Sequence, residues 1–275
     1  MIQANNNLSV LPFYTSIDEQ LHRRSYAYGD IYPLFTPVGN IPPFQIVTPH
    51  DALVSLTSVT LYKPDGTQVG SNILSALTSG GLHKYNFVDC DVIVYPASTA
   101  AAVMTSEGQY YLCVETSDGA AYFSDIMTAV GQISPYLKIE WNDAEDLVMD
   151  GERIVYQLTG SGTFKNRLYL NTEIGKPDYE FEEQGETRDG LFFPEKMISE
   201  KKYKFTFLAS EYLCDVMRFI RMSDVIKITD RYGREYLCDT FLMTPKWETQ
   251  GNLASVEVEF QTNTVAKRIG RNFTT

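Results

Sequence analysis

The chain has 275 residues, of which 44% are apolar, 13% aromatic and 21% charged. That composition excludes intrinsic disorder and supplies apolar side chains for one large or two ordinary cores. Lys and Arg total 23 against 35 Asp and Glu, a net charge of −12. The deficit of cations argues against specific nucleic-acid binding, which needs a basic track along the phosphates.

Residues 1–7 carry no cationic start followed by an apolar stretch, so a standard secretory signal is not expected. No apolar run nears the roughly 18–20 residues that span a bilayer, so membrane insertion is not expected either. Charge density changes near Pro135. Residues 1–135 hold 4 basic and 11 acidic residues, whereas residues 136–275 hold 19 and 24. This shift predicts two domains, 1–135 and 136–275, joined around the Gly- and Pro-punctuated residues 131–135.

The first half reads as a run of short strands. Residues 42–47 form an extended segment set by Pro42 and Pro43. Residues 58–62 alternate Val59 and Leu61 with polar neighbours, then meet the turn Lys63-Pro64-Asp65-Gly66. Residues 85–95 read as a strand or a bulged pair. The clearest hairpin joins residues 109–115 to 121–123 through Ser117-Asp118-Gly119. Six or seven strands with turns at this spacing predict a β-sandwich. The Gly-x-Tyr-Tyr-x-x-Val strand, its tight turn and Tyr122-Phe123-Ser124 resemble the closing pair of immunoglobulin-like modules.

The second half predicts a mainly β domain with one amphipathic helix. Strands are expected at 137–141, 153–158, 166–170 and 202–208. Leu213, Val216, Met217 and Ile220 then fall on one helical face, predicting a helix over 211–221 with Ser210 as its N-cap. Residues 225–229 and 235–238 flank the turn Asp230-Arg231-Tyr232-Gly233. After residues 241–244, a turn at 250–252 leads to a closing strand, 254–261, in which Val256, Val258 and Phe260 alternate with polar residues. The basic tail, 267–272, is expected to be loose.

Chemistry-bearing motifs are sparse. His22, His50 and His83 share no spacing. Cys90, Cys113, Cys214 and Cys238 contain no CxxC pair and sit in apolar contexts, as buried thiols of a reducing cytosol do. No GxSxG elbow, phosphate-binding loop, HExxH or EF-hand loop occurs. Residues 160–163 (GSGT) lack the GK[ST] ending and read as a turn. Residues 178–189 (DYEFEEQGETRD) concentrate six carboxylates, which would suit a solvated strand or loop, a divalent cation, or a carboxylate-based hydrolase using Glu182 and Glu183. Residues 143–146 and 150–152 are acidic but lack the ordered spacing of a Ca²⁺ loop. Tyr26, Tyr28, Tyr32, Tyr110 and Tyr122 could offer ring faces to sugars or serve as strand packing. No catalytic residue, metal ligand or cofactor site is assigned.

The order of elements in 200–262 is more specific than any local motif. A strand at 203–207 feeds the helix, a hairpin crosses Arg231-Tyr232-Gly233, and a Gly-x-Leu-x-x-Val-x-Val-x-Phe strand closes the segment at 251–260. This order resembles tail-tube and distal-tail modules of long-tailed bacteriophages. The segments FKNRLYL (164–170), FFPEK (192–196) and EYLCD (211–215) are similar to phage or prophage tail proteins of gut Bacteroides. The resemblance covers the second half and implies a non-enzymatic structural or assembly protein of a tail. Such a protein would be made in the bacterial cytoplasm and carried in the virion, with copies of itself and other tail proteins as partners. It transfers no catalytic residue. The alternative is a carbohydrate-binding or adhesion module of a gut bacterium or its phage, with a glycan as ligand.

Overall fold

Alternating apolar residues and Gly-containing turns in the first half produce ten strands in two packed sheets. The computed structural model describes residues 9–20, 34–50, 53–79, 81–87, 90–95, 104–142, 164–247, 253–262 and 266–269. The first sheet has seven strands: β1 (Phe13–Tyr14), β2 (Leu34–Pro37), β4 (Leu56–Tyr62), β5 (Gln68–Val69), β8 (Gly108–Thr116), β9 (Ala121–Ser124) and β10 (Met127–Val130). Its central strand, β8, pairs with β4 on one side and with β9 and β10 in succession on the other. β2 joins parallel to β10. The second sheet has the order β3 (Phe44–Pro49), β7 (Cys90–Tyr95), β6 (His83–Asn86).

This is the strand order of the immunoglobulin sandwich. β3, β7 and β6 occupy the places of strands B, E and D, while β4, β8 and β9–β10 occupy those of C, F and G. Val59, Leu61, Leu112 and Val114 from one sheet meet Phe44, Ile46, Ile93 and Tyr95 from the other in one buried cluster. Tyr110, at the start of β8, turns its hydroxyl back to donate to the Ser106 carbonyl at 3.1 Å. That is the tyrosine corner by which such sandwiches fix the chain entering strand F. β3 contains no cysteine, and none of the four cysteines forms a disulfide. Apolar packing therefore joins the sheets without a disulfide.

The second half forms a sheet in the order β12 (Asn166–Leu170), β11 (Leu137–Asn142), β15 (Val225–Thr229), β16 (Glu235–Trp247), β17 (Leu253–Thr262), β14 (Leu191–Ser210), β13 (Asp178–Arg188), all antiparallel. β16 pairs with β15 through residues 235–237 and with β17 from Cys238 onward. A bulge between Cys238 and Thr240 separates the two pairings, which lets the sheet bend. Val256, Val258 and Phe260 of β17 pack with Phe205, Phe241, Ile139, Trp141 and Ile228. The helix covers this core with Cys214, Val216 and Met217.

Two expectations change. The α-helix spans Glu211–Met217, shorter than 211–221, and tightens into a 3-10 turn at Ile220–Met222. The tighter winding satisfies the end carbonyls without a glycine cap and leaves both Phe219 and Ile220 buried. Ser210 caps the start, accepting from the Leu213 amide at 3.3 Å. The basic tail is not wholly loose: β18 (Ala266–Ile269) pairs with residues 196–199 of β14, whose edge offers unpaired backbone groups there. The expected strand at 153–158, the GSGT turn at 160–163 and the turn at 250–252 lie outside the described residues. The two cores also touch. Val10 packs in the second core although it precedes the first sandwich, and the Tyr212 hydroxyl donates to the Ser9 carbonyl at 2.6 Å.

Asp230 anchors the β15–β16 turn. Its Oδ1 accepts from the Tyr232 and Arg234 amides, and its Oδ2 from the Arg234 guanidinium at 2.7 Å. Burial opposes its charge, but these hydrogen bonds outweigh burial and hold the carboxyl below its usual range.

Tyr110→Phe is expected to cost about 1 kcal/mol, read as a lower urea midpoint at unchanged slope. Because Asp230 titrates lower when folded, its contribution is complete above about pH 4 and is lost as pH falls through the folded value. Urea titrations across that range should show a shallower acid decline for Asp230→Asn than for the parent.

Candidate functional site

The acidic stretch is one arm of a long hairpin. Asp-Gly is the preferred pair for a two-residue turn in which both residues take positive φ. Asp189 (φ 53°) and Gly190 (φ 78°) do so, placing Arg188 opposite Leu191. From that tip, β13 pairs with β14 over its whole length. A register shift between Gln184 and Gly185 leaves Glu195 as the extra residue of a bulge.

The two faces of the hairpin continue the two faces of the sheet. Opposed residues of an antiparallel pair share a face. Tyr179 lies opposite Lys201 and Phe181 opposite Ser199, on the side from which Tyr203 and Phe205 enter the core. The core ends, but the apolar pattern does not. Tyr179 is 58% exposed and Phe181 67%. The Lys201 ammonium sits 5.6 Å from the Tyr179 ring centre.

The opposite face is a ladder of charge. Lys202 meets Glu180 at 2.6 Å, Lys204 meets Glu259 at 3.1 Å and Asp178 at 3.9 Å, and Lys246 meets Glu257 at 2.8 Å. Hydrogen bonds to Glu180 and Glu259 raise the Lys202 and Lys204 ammonium values, and that from Lys246 lowers the Glu257 carboxyl. These pairs are solvated and contribute little stability individually. They do fix which side of the arm is polar.

β13 is also the end strand of its sheet, with 11 residues and no further strand beside it among the described residues. Its outer edge presents backbone donors and acceptors able to take another strand. Chemically the arm can pair backbone with a partner and bury aromatic rings. It does not gather reactive groups. Adjacent Glu182 and Glu183 project to opposite faces, and Glu182 accepts from the Gln184 amide at 2.8 Å. Among the described residues, no group of three or more His, Cys, Asp or Glu is placed to hold a metal ion.

The remaining sequence candidates scatter. Burial pushes the thiols of Cys113 and Cys214 up to about 11 and that of Cys238 to about 12, so they are protonated at neutral pH. His83 lies on β6 beside Tyr85, with ring centres 6.1 Å apart. His50 meets Asp91, a partner that sequence spacing did not suggest. Tyr110 is buried in its corner and Tyr122 is half-buried beside the β8–β9 turn. His22, Tyr26, Tyr28, Tyr32 and the acidic residues of 143–152 lie outside the described residues. Comparison with protein-family models, curated proteins and solved structures finds no match.

Gly190→Val places a branched side chain at positive φ, a conformation costly for such residues. Amide exchange should accelerate in β13 and the tip of β14 while β11 and β15 keep their protection. Uniform acceleration across the chain would contradict a locally specified arm.

Proposed function

We propose that this chain is a non-enzymatic structural subunit that assembles with copies of itself, in the manner of a phage or prophage tail component. One observation carries the reading. Among the described residues, a long strand leaves the second core with the Tyr179 and Phe181 rings on its hairpin partner exposed, and that partner ends the sheet with an open edge. An isolated hairpin is marginal in water, and an exposed strand edge invites pairing with another chain. Cover from a neighbouring subunit would bury the Tyr179 and Phe181 rings and satisfy the β13 backbone. The mixed Lys and Glu ladder suits a polar, self-complementary contact on the other face.

The order of strand, helix, hairpin and closing strand supports the tail assignment through resemblance. The acidic balance agrees with a component that tolerates DNA nearby without gripping it. Virion location and other tail proteins as partners belong to the same proposal.

Size-exclusion chromatography with light scattering tests it. The full chain should grow in mass as concentration rises. Tyr179→Asp with Phe181→Asp should raise the dissociation constant by about tenfold or more, since exposed aromatics at such contacts carry much of the affinity. A chain that stays monomeric at all concentrations, or a double variant that assembles like the parent, would contradict the reading.

A further inference from the structure

The first sandwich holds a second site, unrelated to the arm. At one end of the sandwich, β3, β6 and β7 meet the start of β4 and the β8–β9 turn around a pocket of about 310 Å³. That volume lies at the lower end of small-ligand sites. Its polar lining comes from Thr48, His50, Ser55, Lys84, Asp118 and the buried Asp91, with Tyr122, Leu56 and Ile93 as apolar wall.

Asp91 organises the site. A carboxylate buried to this degree is costly unless paired. Its Oδ1 lies 2.9 Å from His50 Nδ1 and its Oδ2 3.0 Å from Lys84 Nζ. Lys84 also donates to the Val54 carbonyl at 2.6 Å. Both side chains are thereby held in fixed directions by one rigid strand. With Nδ1 facing Asp91, the His50 Nε2 is the ring nitrogen left for a ligand. Across the pocket, Asp118 Oδ1 accepts from the Thr116 hydroxyl at 2.6 Å and the Ala120 amide at 3.2 Å, so this carboxylate too is positioned.

The charges decide the ligand class. The positive charge of Lys84 is already opposed by Asp91, and Asp118 adds a second carboxylate. An anion entering the pocket meets Asp118 while the Lys84 charge is already compensated by Asp91, and a small cation is the competing class that methylammonium tests. What the lining offers is donors and acceptors side by side, next to an aromatic ring. Vicinal hydroxyls each donate and accept, and a sugar ring also carries an apolar C–H face. We propose that this pocket binds a neutral sugar residue, its hydroxyls shared among Asp118, His50 and Lys84 and its apolar face against Tyr122.

The proposal stands apart from assembly through the arm and is tested on the full chain by amide NMR titration. The probes are the methyl glycosides of glucose, galactose and mannose, N-acetylglucosamine and N-acetylgalactosamine, with inorganic phosphate and methylammonium as charged competitors. At least one sugar should saturably shift the amides of Ser55, Thr116, Asp118 and Tyr122. Asp118→Asn, which keeps an acceptor for the turn, should weaken that binding about tenfold, and His50→Ala by a similar factor. Unchanged spectra elsewhere establish that both variants fold, and Glu182→Gln on the arm should bind as the parent does. No saturable shift by any of the sugars up to about 100 mM would overturn the proposal, since weak single-residue sites fall near the millimolar range. So would a site that responds to phosphate or methylammonium and not to sugars, or variants at Asp118 and His50 that both retain parental affinity.

Discussion

The second half of the molecule depends on one strand that is longer than the core it serves. β14 has 20 residues, about 65 Å of extended chain at roughly 3.3 Å per residue, where most strands span about 17–20 Å. From Tyr203 onward, alternate residues of β14 pack against β17 and the helix that Ser210 caps. Before Tyr203, the same face runs on past the described core, where Tyr179 and Phe181 opposite it are exposed. Up to the Glu195 bulge, period two assigns the faces, so the exposed Tyr179 and Phe181 rings are a consequence of the pattern that builds the core. The structure cannot keep one and discard the other without a register change.

The two halves solve the problem of sheet edges differently. The sandwich closes its apolar faces on each other and joins its edges with short strands such as β1, β2 and β5. Its rigid frame then leaves one end free to position polar side chains from several strands, where buried Asp91 fixes His50 and Lys84. The second sheet covers one part of the β14 edge with β18 and, among the described residues, leaves β13 open. Proteins that avoid association shorten, twist or cover such edges. An open edge that also carries Tyr179 and Phe181 is the opposite arrangement, and it favours assembly as the role of this half.

The sequence was legible where local chemistry and the global fold agree. Asp118-Gly119 and Asp65-Gly66 mark turns by their backbone needs, Val256, Val258 and Phe260 mark a half-buried strand, and Ser210 marks a helix start. The start of β14 was not legible. Residues 191–202 combine Pro194, a bulge and a run of lysines, so strict alternation is lost where the strand is most exposed. Without that partner, the carboxylates of 178–189 read as a solvated segment and the aromatics between them carried no direction. The tail pairing at 266–269 was hidden for the same reason, since it depends on an edge made elsewhere in the chain. Helix 211–217 was found but overextended, because apolar spacing does not distinguish a helical turn from the tighter winding at Ile220–Met222. The pocket residues come from the residue after β3 (His50), from β6 (Lys84), from β7 (Asp91) and from the β8–β9 turn (Asp118), and share no spacing at all. Only the sandwich topology brings them together.

In the proposed assembly, another copy of the chain completes the β13 edge. Hydrogen exchange of the β13 amides as a function of protein concentration tests it most directly. Outward-facing β13 amides should gain protection as concentration rises, while those of β11 and β15 stay constant. Protection in β13 that is independent of concentration across the range where mass increases would contradict it, because association would then run through another surface.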